Sequence, residues 1–319
     1  MHRQHTHLAA RVTHVAKAVE RRGIAATYKV HDRALANRDG RRQFARHPVE
    51  LTESQLRVVA ALEADGYAVL QLAELLNDPE LEAAVMTQGD VFVAETERNL
   101  AREAEGGTEV ELRRRAGKEF VVRAYSFDGI SLEAGSNAWF RAVTSRRILD
   151  IANSYLQMWT KLSYVDLWYT AAQAAGAERT ASQLWHRDFD DKHLLKAFLY
   201  LVDVDAGAGP FEYIGGSHPG GRYSATLPWA PMQTGRFSEE EVGKHFPATD
   251  AIRTFTAPRG TVILCNTSGL HRGGFATERP RALATATYCS AASLKALSER
   301  NYTVADGGPV DPAVRYATT

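Results

Sequence analysis

His186-Arg187-Asp188 puts an imidazole and a carboxylate two residues apart. In an extended strand, residues i and i+2 point to the same face, so both side chains can reach one ion. The spacing alone is a weak signal, because a surface His near an Asp is the commoner outcome. Context strengthens it. The apolar run Thr261-Val262-Ile263-Leu264-Cys265-Asn266 reads as a buried strand, and His271 follows it closely, with Gly273-Gly274 just beyond. Glycines there permit close backbone approach. Two imidazoles and one carboxylate on one side of a metal leave adjacent positions open for other ligands, an arrangement suited to iron(II). Ten residues after His271, Arg281 opens the apolar strand Arg281-Ala282-Leu283-Ala284-Thr285-Ala286-Thr287-Tyr288. A guanidinium at the head of a core strand needs an anion or a way out to solvent, since an unpaired buried charge is costly. A bidentate pair with a carboxylate is its natural use. Thr285 shares the Arg281 face by alternation and can bond to the same ligand.

Taken in order, these residues resemble a known family. His186-Arg187-Asp188, the turn Gly209-Pro210-Phe211-Glu212-Tyr213-Ile214-Gly215-Gly216-Ser217-His218, the distal His271 and Arg281 look like the phytanoyl-CoA dioxygenase family of iron(II)/2-oxoglutarate-dependent oxygenases. Asp65-Gly66-Tyr67-Ala68-Val69-Leu70 is similar to that family's first strand. The resemblance runs from about Leu51 to Ser290 and thins between residues 90 and 155. It implies a double-stranded β-helix, a jelly-roll variant, with iron(II) held by His186, Asp188 and His271. It also implies 2-oxoglutarate and O2 as co-substrates, with the distal carboxylate of 2-oxoglutarate on Arg281. The implied reaction hydroxylates an unactivated C–H bond of a small molecule and releases succinate and CO2. Asp188 stands where halogenating relatives carry a small residue, so hydroxylation or a related oxidation is the expected outcome. Two departures bear on co-substrate binding: Gly273 replaces the small hydroxyl residue that many relatives carry two places after the distal His, and Arg279 stands close enough to compete with Arg281. Two other classes compete: a cupin-like metalloenzyme that does not use 2-oxoglutarate, and a non-catalytic jelly-roll binding protein. Arg281 speaks against the first, and the ordered ligand set against the second. No P-loop or comparable phosphate cradle is visible, which favours a small metabolite, such as a natural-product or sugar-containing intermediate, over an acyl-CoA.

Other residues near these motifs have plainer readings. His218 reads as a turn residue at the site mouth, not a ligand. Asp190, Asp191 and His193 read as loop residues at the substrate entrance. Trp168, Trp185, Phe198 and Tyr200 either wall the pocket or pack the core, the commoner fate of strand aromatics.

The elements that must position these groups are legible in part. Thr52 and Gln55 form a capping box flanked by Leu51 and Leu56. They predict a helix from Thr52 to Gly66, where a left-handed cap ends it. Tyr67-Ala68-Val69-Leu70 reads as a strand and residues 79–89 as a helix. Residues 95–119, dense in Glu and Arg around Gly106-Gly107, read as a mobile loop or lid. Trp139–Trp159 is the longest helix candidate, with Ile148, Ile151, Tyr155 and Trp159 on one stripe. After about residue 160, short apolar runs punctuated by Gly and Pro follow: 162–170, 194–204, 253–257, 261–266 and 281–290. Helices followed by many strands predict an α+β fold, a jelly-roll core with N-terminal helices packed on it. The expected layout is a basic arm over 1–50 and one dioxygenase domain over 51–319. That domain divides into a helical part (51–160), the core (161–290) and a tail (291–319).

Bulk composition excludes several classes. The 319 residues carry 38 Lys plus Arg against 38 Asp plus Glu, so no whole-molecule field attracts nucleic acid or anionic membrane. No run of 18 apolar residues and no N-terminal h-region is present, which predicts a cytoplasmic protein. Residues 1–50 hold eleven Lys/Arg against four Asp/Glu. A transit peptide or a nucleic-acid arm would share this feature, but a solvated, partly helical arm is the simpler reading. Cys265 and Cys289 each sit in an apolar run, which suits buried free thiols better than a disulfide.

Overall fold

The computed structural model describes residues 23–107, 112–115, 117–125, 131–174, 176–231, 235–246, 251–293, 295–305 and 311–319. Residues 1–22 of the basic arm and 108–111 and 116 of the charged segment lie outside the described residues.

The helices are α1 (Arg38–Arg46), α2 (Glu53–Asp65), α3 (Leu72–Leu76), α4 (Pro79–Ala104), α5 (Ala138–Thr144), α6 (Arg146–Leu156), α7 (Glu239–His245) and α8 (Pro312–Thr318). The first seven strands are β1 (Tyr67–Gln71), β2 (Arg114–Arg115), β3 (Lys118–Arg123), β4 (Leu132–Glu133), β5 (Lys161–Thr170), β6 (Trp185–Arg187) and β7 (Leu194–Tyr200). The remainder are β8 (Phe211–Ile214), β9 (Gly235–Phe237), β10 (Ile252–Phe255), β11 (Thr261–Cys265), β12 (His271–Arg272), β13 (Arg281–Cys289) and β14 (Tyr302–Thr303). A seven-stranded antiparallel sheet has the order β1-β11-β7-β13-β5-β3-β2, and a five-stranded antiparallel sheet has the order β10-β8-β12-β6-β9. The fold is thus mixed, with helices first and antiparallel sheets after.

Alternation along β13 explains how the layers form. Ala282, Ala284, Ala286 and Tyr288 join the main core with α2 to α6. The intervening Arg281, Leu283, Thr285 and Thr287 face the other way and line a cavity between the two sheets. Small Ala side chains on the outer face let the helices approach closely. Trp139 of α5 reaches across that layer, and its Nε1 donates to the Thr285 carbonyl at 3.0 Å. A second cluster, Phe198, Tyr200, Phe211, Tyr213, Ile263 and Leu283 among its members, fills the space between the sheets beside the cavity.

The helix over Glu53–Asp65 has its expected ends: Thr52 accepts from Gln55 N, the capping box is closed, and Gly66 adopts φ 81°. Both cysteines are free and buried. Two local expectations are corrected. The longest helix is α4, which runs through residue 104, so 95–104 is not loop or lid. Asp78 caps it and Pro79 opens it, while Leu81, Val85, Gly89 and Thr96 bury one side. The charge density there is simply a solvated helix face. The Trp139–Trp159 segment is two helices, parted where Ser145 turns extended at φ −61° and ψ 149°. Among the described residues, no helix is long and apolar enough to cross a membrane.

Candidate metal centre and its cavity

Register brings the three candidate ligand side chains together. In the five-stranded sheet, His271 of β12 pairs directly with His186 of β6, and Asp188 follows two residues after His186. One nitrogen or oxygen from each of His186, Asp188 and His271 lies within 4.8 Å of the others. His186 Nε2 is 3.9 Å from Asp188 Oδ1, and His271 Nε2 is 3.9 Å from Asp188 Oδ2. The tautomers suit a metal. His186 Nδ1 lies 2.8 Å from the Leu184 carbonyl, and His271 Nδ1 lies 3.0 Å from the Gly269 carbonyl. A carbonyl only accepts, so each Nδ1 carries the proton and each Nε2 keeps its lone pair for a ligand bond. Burial, with His271 beside it, lowers the His186 pKa from 6.5 to about 3, and burial also lowers that of His271. Both rings are therefore neutral donors near neutral pH. The set of two imidazoles and a carboxylate fits a divalent first-row ion.

Neighbouring groups hold this arrangement from behind. Arg187, between the two ligands, points away from them and is buried. It donates to the carbonyls of Ser217 at 2.7 Å, Ser268 at 2.6 Å and Thr226 at 3.3 Å, tying the β8–β9 and β11–β12 loops to β6. Asp188 N donates to the Thr267 carbonyl at 2.9 Å, and Trp229 Nε1 donates to the Asp188 carbonyl at 2.9 Å. Lys196 of β7 reaches Asp188 Oδ2 with its Nζ at 2.6 Å. Burial would raise the Asp188 pKa, but the Lys196 ammonium and the two imidazoles hold it far below the usual carboxylate range. The sequence signal for Lys196 was a charge inside Leu194-Leu195-Lys196-Ala197-Phe198, a place an unpaired lysine does not occupy.

The cavity between the sheets measures about 580 Å³ and is lined by His186, Asp188, His271, Lys196, Arg281 and Thr285 among others. Arg281 Nη1 donates to the Gly209 carbonyl at 2.5 Å. Its Nε is buried without a partner, as is Thr285 Oγ1. Close glycine packing makes this carbonyl available. Gly209 has φ +68°, and a Cβ on Gly274 would lie 1.9 Å from Gly209 O, so neither position admits a side chain. Burial lowers the Arg281 pKa from its ordinary value, and among the described residues no carboxylate offsets the effect. A buried guanidinium with an unpartnered Nε and an unpartnered hydroxyl on one strand face are the fit expected of a site for an anionic ligand.

The sequence candidates are not all brought together. Arg279 lies outside the cavity, 60% exposed and paired with Asp205. His218 is not at the mouth: it is buried against Gly66, its Nε2 3.2 Å from the Glu63 carbonyl. Asp190 lines the cavity, whereas Asp191 is fully buried, taking hydrogen bonds from Tyr28 Oη at 2.8 Å and Ser290 N at 2.8 Å. His193 turns instead to Asp32, 3.1 Å away. Trp168, Phe198 and Tyr200 line the cavity, and Trp185 packs in a separate cluster with Ile214 and Leu270. Sequence reasoning missed a second buried cluster, Arg123 with Tyr164 and Asp166, although an Asp in the aromatic strand Leu162–Thr170 was a visible irregularity.

No known family model matches the chain, and no curated protein does. Solved structures resemble it at low identity. The epimerase SnoN, solved in complex with Fe3+, alpha ketoglutarate and nogalamycin RO, is 20% identical over 74% of this chain and 83% of that chain, with a TM-score of 0.47. EctD from S. alaskensis with bound Fe is 18% identical over 81% and 91%, with a TM-score of 0.48. HygX from Streptomyces hygroscopicus, with nickel and 2-oxoglutarate bound, is 16% identical over 75% and 87%, with a TM-score of 0.45.

Proposed function

We propose that this chain is an iron(II)- and 2-oxoglutarate-dependent oxygenase on a double-stranded β-helix, of the phytanoyl-CoA dioxygenase type, that hydroxylates a C–H bond of a small molecule. One observation carries the reading: a His-Asp-His donor set and a buried guanidinium with no anion of its own share one cavity. His186, Asp188 and His271 would hold iron(II). Iron held there would supply the coupling of 2-oxoglutarate oxidation by O2, which gives succinate and CO2, to insertion of one oxygen atom into the substrate C–H bond.

The chain's own residues bind, orient and shield. Arg281 takes the distal carboxylate of 2-oxoglutarate with its free guanidinium edge, and Thr285 Oγ1 donates to the same ligand. Leu283, between them on the same strand face, and Phe211 across the cavity make that end apolar. A low-dielectric wall strengthens the guanidinium–carboxylate pair and excludes water. The Nδ1–H bonds to backbone carbonyls fix both imidazoles, so ligand geometry does not depend on mobile side chains.

The test is direct. Purified protein with iron(II), 2-oxoglutarate and O2 should form succinate, and a metabolite extract containing the substrate should accelerate it. Metal binding without any 2-oxoglutarate turnover or binding would move the chain to the metalloenzymes that use these ligands without this co-substrate. Failure to bind a divalent metal would remove the enzyme reading.

A further inference from the structure

Lys196 Nζ sits against Asp188 Oδ2, the oxygen that also lies 3.9 Å from His271 Nε2. An ammonium and a divalent ion on one carboxylate repel each other, and burial leaves that repulsion poorly screened. A second acceptor is available. Asp190 is two residues beyond Asp188 and lines the same cavity, and its Oδ1 is buried without a hydrogen-bond partner. Lys196 lines that cavity too. Lys295, another cation of the cavity lining, is already held by Glu299 at 2.8 Å. A buried carboxylate oxygen left unpaired is costly, so the arrangement favours a cation that can come to it. The flexible four-carbon stem of a lysine allows such a move, which a rigid arginine fork would not.

We propose that Lys196 is a positioning residue with two seats: it pairs with Asp188 before the metal arrives and with Asp190 once the metal takes Asp188. This inference rests on the metal reading above. On the first seat Lys196 keeps Asp188 aimed into the site. On the second it leaves the ligand free and satisfies the orphaned Asp190.

The experiment is a double-mutant cycle on the dissociation constant of manganese(II), a redox-stable probe, using the full chain. Asp190→Asn should weaken manganese binding about tenfold, within the range for groups that support ligands from outside the metal shell. The same change in a Lys196→Met background should cost less than about twofold, because no displaced ammonium then needs a seat. Lys196→Met alone should bind manganese at least as tightly as the wild type. Lys196→Gln keeps a donor for Asp188 without the charge and runs the same cycle if the Met variant does not fold. An equal Asp190→Asn effect in both backgrounds would overturn the proposal, since only the general charge of Asp190 would then matter. Tenfold weaker binding by Lys196→Met would also overturn it and make Lys196 a fixed clamp. A wild-type protein that binds no manganese would remove the metal reading itself, a result distinct from a cycle without coupling.

Discussion

Arg123 and Arg281 line one cavity from strands of one sheet, and each is 7% exposed. Their surroundings differ. Arg123 Nε donates to Asp166 Oδ2 at 2.8 Å, and its guanidinium also meets the Tyr164 hydroxyl. Asp166, 0% exposed, further accepts from Tyr125 N at 2.9 Å and Trp168 Nε1 at 3.2 Å. Arg281 has the Gly209 carbonyl and, among the described residues, no carboxylate. Burial acts against the charge of both. At Arg123 the adjacent Tyr164 and Asp166 overturn it and raise the pKa, while at Arg281 burial wins and lowers it. A buried guanidinium that arrives with its own anion is part of the fold. One that the fold buries without an anion can take one from a ligand, the role proposed for Arg281.

The largest expected effect falls on stability. Arg123→Met strands Asp166 and should cost about 3–5 kcal/mol, as breaking one side of a buried pair does. Urea unfolding at neutral pH measures it. Arg281→Met strands only a carbonyl and removes an unpaired charge, so its cost should be about 1 kcal/mol. Equal losses for the two variants would break the comparison.

The order reverses for ligand binding. Arg281→Ala should weaken 2-oxoglutarate by about 2–5 kcal/mol, measured without O2 and with iron(II) present. Iron affinity should not change, because no ligand is touched. Arg281→Lys keeps the charge but loses the fork and should fall between wild type and Arg281→Ala. Unchanged 2-oxoglutarate affinity in Arg281→Ala would remove the co-substrate from this end of the cavity. Thr285→Val is the milder probe and should cost about 1 kcal/mol of 2-oxoglutarate affinity, the usual net value of one hydrogen bond.

How much of this was legible depends on whether the signal was local. The helix Glu53–Asp65 was readable to its ends because a capping box and a left-handed glycine are local devices. Strand-face arguments worked equally well: i, i+2 spacing put His186 and Asp188 on one side, and alternation put Arg281 with Thr285. Tertiary partners were not readable. Arg279 and Arg281 differ little in sequence, and only the fold turns one to Asp205 and the other inward. His218 follows a glycine turn like a site residue, yet it is drawn to the end of α2 by the Glu63 carbonyl. The short strands β6, β8 and β12 carry too few residues to show a period. Two of them nevertheless bear the histidines, and their register is set by the sheet as a whole.

The last effect concerns a carboxylate that, like Asp166, is buried with its own cation. Asp32 lies in the helical segment 23–36, which also sends Tyr28 to Asp191 in the loop after the metal motif. Asp32 Oδ1 is 3.1 Å from His193 Nε2, and it accepts from Asn37 Nδ2 at 2.7 Å and Arg41 Nη2 at 3.2 Å. Burial would raise its pKa, but His193, Asn37 and Arg41 outweigh burial and lower it from 3.8 to about 2. The folded value lies below the unfolded one, so the stabilisation is complete above the unfolded pKa and is lost as pH falls through the folded one. A shift of this size is worth about 2 kcal/mol. Asp32→Asn should therefore be less stable than wild type by about 2 kcal/mol at pH 5, and the gap should shrink to about half near pH 3. Urea unfolding of both proteins between those two pH values reads the gap. A gap that stays constant with pH would assign the contribution of Asp32 to neutral hydrogen bonding. The cluster would then hold the N-terminal segment by geometry alone, and the contrast between anion-supplied and anion-lacking sites would rest on Arg123 and Arg281 only.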